Sequence, residues 1–445
     1  MNLTKRAIYR ILAGIIPIAG SSLAVAAGPI VQGGGSSLVA PLFGNASNPA
    51  SEIGLFGTNG GTFTYYSVGS GAGQNAFLNN QPTFFGVGAN TTSAVYFANS
   101  DAALTTAQIV SYNASTIGIN SGSLIQIPYI VTAITVPVVN APAVTSSVTP
   151  QTTPGQAHSI ALNDNDLCGI FSGKLTDWNQ VINPETGSVY TTASKPIKVV
   201  YRSDSSGTSE LLTRHLAAVC TTANTASGVK FIDSLTFANM TAFPNGVPLN
   251  FVRASGDGGA RASLASLWSA GSAAVAYLSP AFTNTFLASQ STVVTSSGAL
   301  QLPIASLYNS SNSTYYAPTY ANATTALGTI SAPSNPADPY AWAPVSGPAY
   351  AALSNPAWGY PVSGTSQIIL SQCYADPAVA TAIHDFLNNH YTNTSYASLI
   401  RGNGFDTVPA SFKASIVANF LSNANNYNLD INNPDSSCLA NLIGR

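Results

Sequence analysis

Between Val199 and Leu216 the chain reads VVYRSDSSGTSELLTRHL. An apolar strand, Ile197 to Tyr201, runs into Arg202; Asp204, small hydroxyl residues and Gly207 follow, and a helical pattern begins. Three kinds of donor meet at such a junction. The guanidinium offers a planar fork of N–H groups. The backbone N–H groups of Ser206, Gly207, Thr208 and Ser209 lack an intrahelical acceptor where a helix starts. The hydroxyls donate at the same point. Together they suit a tetrahedral oxyanion, and Asp204 is placed to hold the Arg202 fork. The plainer reading is a capped helix, with Ser206 as N-cap, Glu210 nearby and Arg202 on the surface.

Two further junctions share this character. In VQGGGSSLVAPLF, Val31 to Phe43, three glycines let the backbone turn tightly and approach a ligand. The Ser37 hydroxyl and the Leu38 N–H are then free to donate. The Gly-Lys-Ser/Thr ending of a phosphate-cradling P-loop is missing. In SVGSGAGQ, Ser70 stands just before a helix. Each alone is an ordinary turn; three such junctions with an arginine form a more specific set.

The elements that must position these residues alternate. FTYYSVGSGAGQNAFLNN and KPIKVVYRSDSSGTSELLTRHLAAVC each read as strand, turn and helix, the second helix carrying Leu211, Leu212, His215, Leu216 and Val219 on one face. GDGGARASLASLWSAGSAAVAYLSP reads as helix then strand, and DPAVATAIHDFLNNHY as a helix with Val379, Ile383, Phe386 and Leu387 inward. Alternation of this kind predicts an α/β architecture with largely parallel sheets. The apolar run Leu124 to Val139, interrupted by Pro128 and Pro137, reads either as one buried strand or, in preference, as a strand that crosses between domains; the pattern alone does not decide between them. Thr145 to His158 reads as a surface loop, and Ser306 to Ser354 as a long, mostly irregular insertion. In FSGKLTDWNQV, Phe171, Leu175, Trp178 and Val181 are packing residues, while Lys174 and Asp177 belong to the surface.

Composition narrows the class. Of 445 residues, 45% are hydrophobic and only 7% charged, so Ser, Thr, Asn and Gly provide the solvating surface, as in many secreted bacterial proteins. The formal net charge is -2 with no basic run, which excludes the electrostatic footprint of nucleic-acid binding. Residues 1–27 read as a signal peptide: Lys5, Arg6 and Arg10, then ILAGIIPIAGSSLAV, then AVAAG with cleavage near Ala26 or Ala27. No cysteine follows the apolar stretch, which argues against a lipid anchor. Four cysteines in an exported chain predict two disulfides. Three pairings are possible, and chain order favours Cys168 with Cys220 and Cys373 with Cys438. The cysteine spacings and the scattered His158, His215, His384 and His390 do not suit a metal site.

The motifs GGGSSLVAPLF, VGSGAGQNAFL, NSDAALT, LCGIFSGKLTDWNQV and VVYRSDSSGTSELLTRHL, in this order, resemble those of periplasmic phosphate-binding proteins of ABC transporters. The resemblance is nearest to the DING-type branch, with its GGG near the mature N-terminus and a segment like SQCYAD. It covers nearly all of the mature chain. It implies a type II periplasmic-binding-protein fold: two α/β lobes, a hinge, and a ligand cleft. Lobe 1 would comprise 28–127 and 356–445, lobe 2 would span 128–282, and 283–355 would be an insertion returning to lobe 1. Carried over by motif, the phosphate ligands are Ser37 and Leu38, Ser70, Asp101, and Arg202, Ser206, Gly207 and Thr208, with Asp204 orienting Arg202. Ser37 stands where many members have threonine, and Leu38 where some have phenylalanine. An alternative alignment puts Ala89 or Asn90 at the acid position.

Asp101 would set the selectivity. Near neutral pH phosphate keeps at least one proton, which an ionised carboxylate can accept. Fully deprotonated sulfate would face that carboxylate with an oxygen anion. The plainer role for Asp101 is N-cap of the helix AALTTAQIV. The resemblance thus implies a monomeric receptor for inorganic phosphate, needing no cofactor, delivering to an ABC permease in the inner membrane; arsenate should bind as well. Two other functions compete. A secreted phosphatase or serine hydrolase would need a base near its nucleophile, but no Gly-x-Ser-x-Gly elbow surrounds Ser206 or Ser70, and His215 lies two turns beyond Ser206. A secreted surface or adhesive protein would account for the low charge and the Asn/Ser/Thr/Tyr-rich insertion.

Overall fold

The computed structural model describes residues 28–328, 330–343, 347–433, 438 and 444–445. The signal peptide expected over 1–27 lies outside the described residues. Two sheets carry the molecule. The larger has six strands in the order Asp406–Thr407, Leu124–Ala133, Ser363–Ser371, Phe97–Ser100, Ile30–Gly35 and Thr62–Ser67. Ile30–Gly35 runs parallel to both Thr62–Ser67 and Phe97–Ser100, as strand-helix units require. Ser363–Ser371 is antiparallel to both its neighbours, and Asp406–Thr407 is antiparallel to Leu124–Ala133. The sheet is therefore mixed rather than largely parallel. Ser363–Ser371 is the returning segment, and it re-enters beside the outgoing Leu124–Ala133 in the opposite sense.

The second sheet orders Val138–Val139, Ala273–Val275, Ile197–Arg202 and Phe251–Ala254, with Ile197–Arg202 parallel to both its neighbours. The run Leu124 to Val139 does cross between the sheets, but later than expected. All ten residues of Leu124–Ala133 are buried in the first sheet, so the boundary expected between 127 and 128 falls inside this strand. Pro128 sits at an irregularity of this pairing: Ser366 pairs with Ile130 and Gln367 with Pro128, so Tyr129 is the extra residue of a bulge, where a proline is tolerated within a strand. Ile134 then donates to the Val362 carbonyl at 2.8 Å, which brings the outgoing and returning crossings side by side.

The expected insertion over 283–355 is more ordered than its composition suggests. Leu287, Leu302 and Ile304 share a core with Val139, Val200 and Leu264 of the second lobe. Ser306–Asn309 pairs with Thr314–Tyr316 and with Ala161–Leu162 in a small third sheet, and Tyr320–Leu327 and Gly347–Ser354 are helical. Both disulfides form as chain order favoured, Cys168 to Cys220 and Cys373 to Cys438. The first ties down the end of the helix Gly207–Val219, whose C-cap is Cys220. Among the described residues no helix is long and apolar enough to cross a membrane.

Candidate anion-binding site

The strand Ile197–Arg202 ends where its neighbour Phe251–Ala254 ends, with Arg202 beside Ala254. From the other sheet, Ile30–Gly35 leads to Ser36 and Ser37, Thr62–Ser67 to Ser70, and Phe97–Ser100 to Asp101. Every junction thus lies at the carboxyl end of a parallel strand, the usual place for a ligand crevice in such sheets.

The helix Gly207–Val219 is capped as its sequence suggests, the Ser206 side chain accepting from the Ser209 N–H. The Tyr277 hydroxyl fixes the join between strand and helix. It accepts from the Arg202 N–H at 2.9 Å and shares a 2.8 Å hydrogen bond with the Ser209 hydroxyl. Arg202 is not on the surface: only 1% of it is exposed. Its Nε donates to Asp204 Oδ1 at 2.8 Å and its Nη2 to Asp204 Oδ2 at 2.5 Å. Its Nη1 donates to Asp257 Oδ2, also at 2.5 Å. A guanidinium has five N–H groups. These three bonds leave one N–H of Nη2 uncommitted, while Nη1 also makes a long bond, 3.5 Å, to Thr208 Oγ1. Burial works against the guanidinium charge, but the flanking carboxylates of Asp257 and Asp204 outweigh it and raise its pKa. Burial likewise opposes ionisation of Asp204, yet hydrogen bonding and charge from Arg202 hold its carboxyl below the usual range.

Asp101 belongs to the opposite wall. It does not cap the following helix; that helix begins at Thr106, and Thr105 forms its capping box with Gln108. The carboxylate of Asp101 instead accepts from the Ser36 hydroxyl and from the Ser366 hydroxyl, each at 2.7 Å. Its backbone N–H donates to Ser70 Oγ at 3.2 Å. Burial pushes the Asp101 carboxyl up to about 6, against the pull of these hydroxyls. Asn90, the alternative acid position, is exposed and hydrogen-bonded to Gln32 and Thr92.

Gly207 joins the two walls. A Cβ there would lie 2.6 Å from Asp101 Cβ and 2.6 Å from Ser70 Oγ, so only glycine permits this approach. Its N–H and that of Thr208 lie in the first helical turn, where the helix supplies no acceptor. Ser70, Asp101, Gly207, Thr208, Ser206 and Arg202 therefore converge, all buried. Ser37 and Leu38 are also buried in this cleft, but with partners of their own. The Ser37 hydroxyl donates to Asp257 Oδ2 at 2.6 Å, and the Leu38 N–H to Ser36 Oγ at 3.1 Å.

Ser36, Ser366 and Asp257 escaped the sequence reading. Ser36 adjoins Ser37 and was within reach of it. Asp257 sits in SGDGGARASL, one more strand-to-helix junction with an acid in the first turn. Ser366 lies mid-strand and carries no local signal. Among the described residues no cluster of His, Cys, Asp or Glu could hold a metal. His215 is no base for Ser206: its ring nitrogens face the Ser354 carbonyl at 2.9 Å and Asp164 at 3.1 Å.

Residues 20–332 match the model of the PBP superfamily domain. A solved structure of a high-affinity periplasmic phosphate-binding protein of the DING type, bound with phosphate, is 33% identical, with a TM-score of 0.72 over 93% of this chain and 99% of that one. The chain is a DING-type member of the periplasmic-binding-protein superfamily. Another DING protein structure superposes on it with a TM-score of 0.71 at 29% identity, over 93% of this chain and 99% of that chain. Curated relatives of this DING-type chain carry two kinds of name. A phosphate-binding protein from an unknown prokaryotic organism is 33% identical over 374 residues, 81% of this chain and 89% of its own length. Alkaline phosphatase L of Pseudomonas aeruginosa is 32% identical over 419 residues, 93% of this chain and 94% of its own length.

Proposed function

We propose that this protein captures inorganic phosphate, as hydrogen phosphate, in the cleft between its lobes outside the inner membrane, and hands it to an ABC permease. The donors are the uncommitted N–H of Arg202 Nη2, the N–H groups of Gly207 and Thr208, and the hydroxyls of Ser70, Ser206 and Thr208; the Nη1 N–H, the Ser37 hydroxyl and the Leu38 N–H join them by sharing, since they already bond to Thr208, Asp257 and Ser36. The acceptor is Asp101. The observation that carries this reading is the contact of Gly207 with Asp101 and Ser70, which sets a helix N-terminus and a proton-accepting carboxylate around one buried point. The fit is to an anion that brings its own proton. Phosphate binding by the DING-type relative of solved structure supports it.

The phosphatase name of some relatives raises a second reading, which the burial of the cleft disfavours. Ser37, Ser70, Asp101, Arg202, Ser206 and Thr208 are each no more than 3% exposed. A phosphate ester must lead one oxygen out to its organic group, and a wall this closed favours the free ion.

Calorimetric titration of the phosphate-stripped protein tests both readings. One-to-one phosphate binding that survives excess sulfate and is lost in Arg202→Ala is expected, with no turnover of an aryl phosphate ester. No heat with phosphate would overturn the receptor reading, and steady ester hydrolysis lost in Ser206→Ala or Ser70→Ala would establish the enzyme in its place.

A further inference from the structure

We infer that Asp257 is a positioning residue of the cleft: one of its carboxylate oxygens sets the direction of three proposed ligand groups drawn from both lobes. The inference rests on the phosphate-binding reading above. Asp257 is fully buried, in the first turn of the helix Gly256–Ser269. Its Oδ2 accepts from Arg202 Nη1 at 2.5 Å and from the Ser37 hydroxyl at 2.6 Å, with Thr208 Oγ1 at 3.5 Å. Ser37 belongs to the first lobe, and the other two to the second. The Asp257 N–H returns to Ser37 Oγ at 3.1 Å, so residue and hydroxyl are held by a reciprocal pair of bonds across the cleft.

The carboxylate is itself anchored. Oδ1 accepts from the Ser279 N–H at 2.9 Å, and the Ser279 hydroxyl donates to the Leu38 carbonyl at 2.9 Å, a further bond between the lobes. Asp204 fixes the Arg202 fork along one edge; Asp257 holds it at the other terminal nitrogen. A guanidinium clamped at both edges cannot swing, so the free N–H of Nη2, and the Nη1 N–H that Thr208 Oγ1 holds only loosely at 3.5 Å, keep their aim. Asp257 needs no contact with the anion to do this. It adds negative charge to the site, which a residue serving only to attract an anion would not.

The test is a set of double-variant comparisons on the whole protein, read by phosphate titration. Asp257→Asn keeps the size and removes the charge. It is expected to weaken phosphate binding on the order of 10- to 100-fold, as for loss of a hydrogen-bonded charged partner. Combined with Ser37→Ala, the two effects should fall well short of multiplying, because both break one contact. Combined with Ser70→Ala, whose hydroxyl adjoins the other carboxylate, they should multiply. A general loss of packing would not separate the two combinations. Binding by Asp257→Asn within twofold of the unaltered protein, or effects that multiply with Ser37→Ala, would overturn the inference. Failure of the unaltered protein to bind phosphate would instead overturn the receptor reading. Should Asp257→Asn not fold, Asp257→Glu, which keeps the charge and moves the oxygen by one methylene, is measured against Ser37→Ala on the same criteria.

Discussion

Asp101 gives the sharpest quantitative expectation, because its carboxyl sits between two protonation states in the accessible pH range. Burial raises it to about 6. Sulfate brings no proton, so an oxygen facing Asp101 is tolerated only when Asp101 is itself protonated and donates. At pH 8, protonating a group of pKa about 6 costs ~2.7 kcal/mol, two units at ~1.36 kcal/mol each. That is roughly a 100-fold loss in affinity. At pH 5 the group is already mostly protonated and the cost vanishes. The sulfate Kd should therefore rise about tenfold per pH unit above 6 and level off below it. Phosphate supplies the shared proton itself and should change less over the same range. In Asp101→Asn the amide donates at every pH, so the sulfate slope should disappear while the phosphate preference narrows. Calorimetric or competition titrations at pH 5, 6, 7 and 8 measure this directly. A flat sulfate profile in the unaltered protein, or an unchanged slope in Asp101→Asn, would refute the assignment of Asp101 as the discriminating group.

Three further outcomes are expected. Gly207→Ala places a methyl 2.6 Å from Asp101 Cβ and Ser70 Oγ, on the facing lobe; the lobes can relieve it only by parting, so titration should show at least tenfold weaker phosphate binding with little change in the melting temperature of the ligand-free protein. Asp101, Asp166 and Glu210 are raised by burial to about 6, 7 and 8, Glu210 also by the charge of Asp233. Unfolded, such groups lose their protons near pH 4; the folded state thus holds more protons between about pH 4 and 8, and stability falls as pH rises through that window. Melting of phosphate-free protein should be higher at pH 5 than at pH 8, and equal or reversed values would contradict these shifts. Lastly, Cys168 and Cys220 are 52 residues apart, so opening their bridge by Cys168→Ser with Cys220→Ser should cost about 2–4 kcal/mol in denaturant unfolding, by the loop entropy released; a cost near zero would show that the loop is held without it.

What the sequence made legible was local. Arg202, Asp204 and Ser206 to Thr208 lie within seven residues, and a strand end beside a helix start carries its chemistry on the page. Asp257 belongs to the same kind of junction but was passed over as an ordinary helix start. Its partners are remote: Ser37 is 220 residues away in sequence. Ser366 reaches Asp101 over 265 residues, a distance at which one sequence gives no pairing information. The lobe boundary was misplaced for a different reason. An apolar run with two prolines reads alike whether the first proline ends a strand or sits beside a bulge at Tyr129, and the bulge exists only in the pairing with Ser363–Ser371. The lobe bounds set 283–305 apart with the insertion, yet scattered Leu287, Leu302 and Ile304 gain their meaning only from the second lobe's core.

The charge balance of the cleft explains why so much of the site depends on those remote contacts. One guanidinium, Arg202, faces the carboxylates of Asp204, Asp257 and Asp101, so a doubly charged anion cannot be held by ion pairing alone. Burying such an anion requires many neutral donors around it. Those donors are hydroxyls and backbone N–H groups, which act only at short range and correct aim. Accuracy of placement must therefore supply what net charge does not. Asp204 and Asp257 add unfavourable charge but fix the Arg202 fork, while Ser36 and Ser366 fix Asp101 as an acceptor. A site built this way selects by proton count and geometry. Replacing Asp257 by a neutral residue of equal size should accordingly weaken phosphate binding even though it makes the cleft less negative.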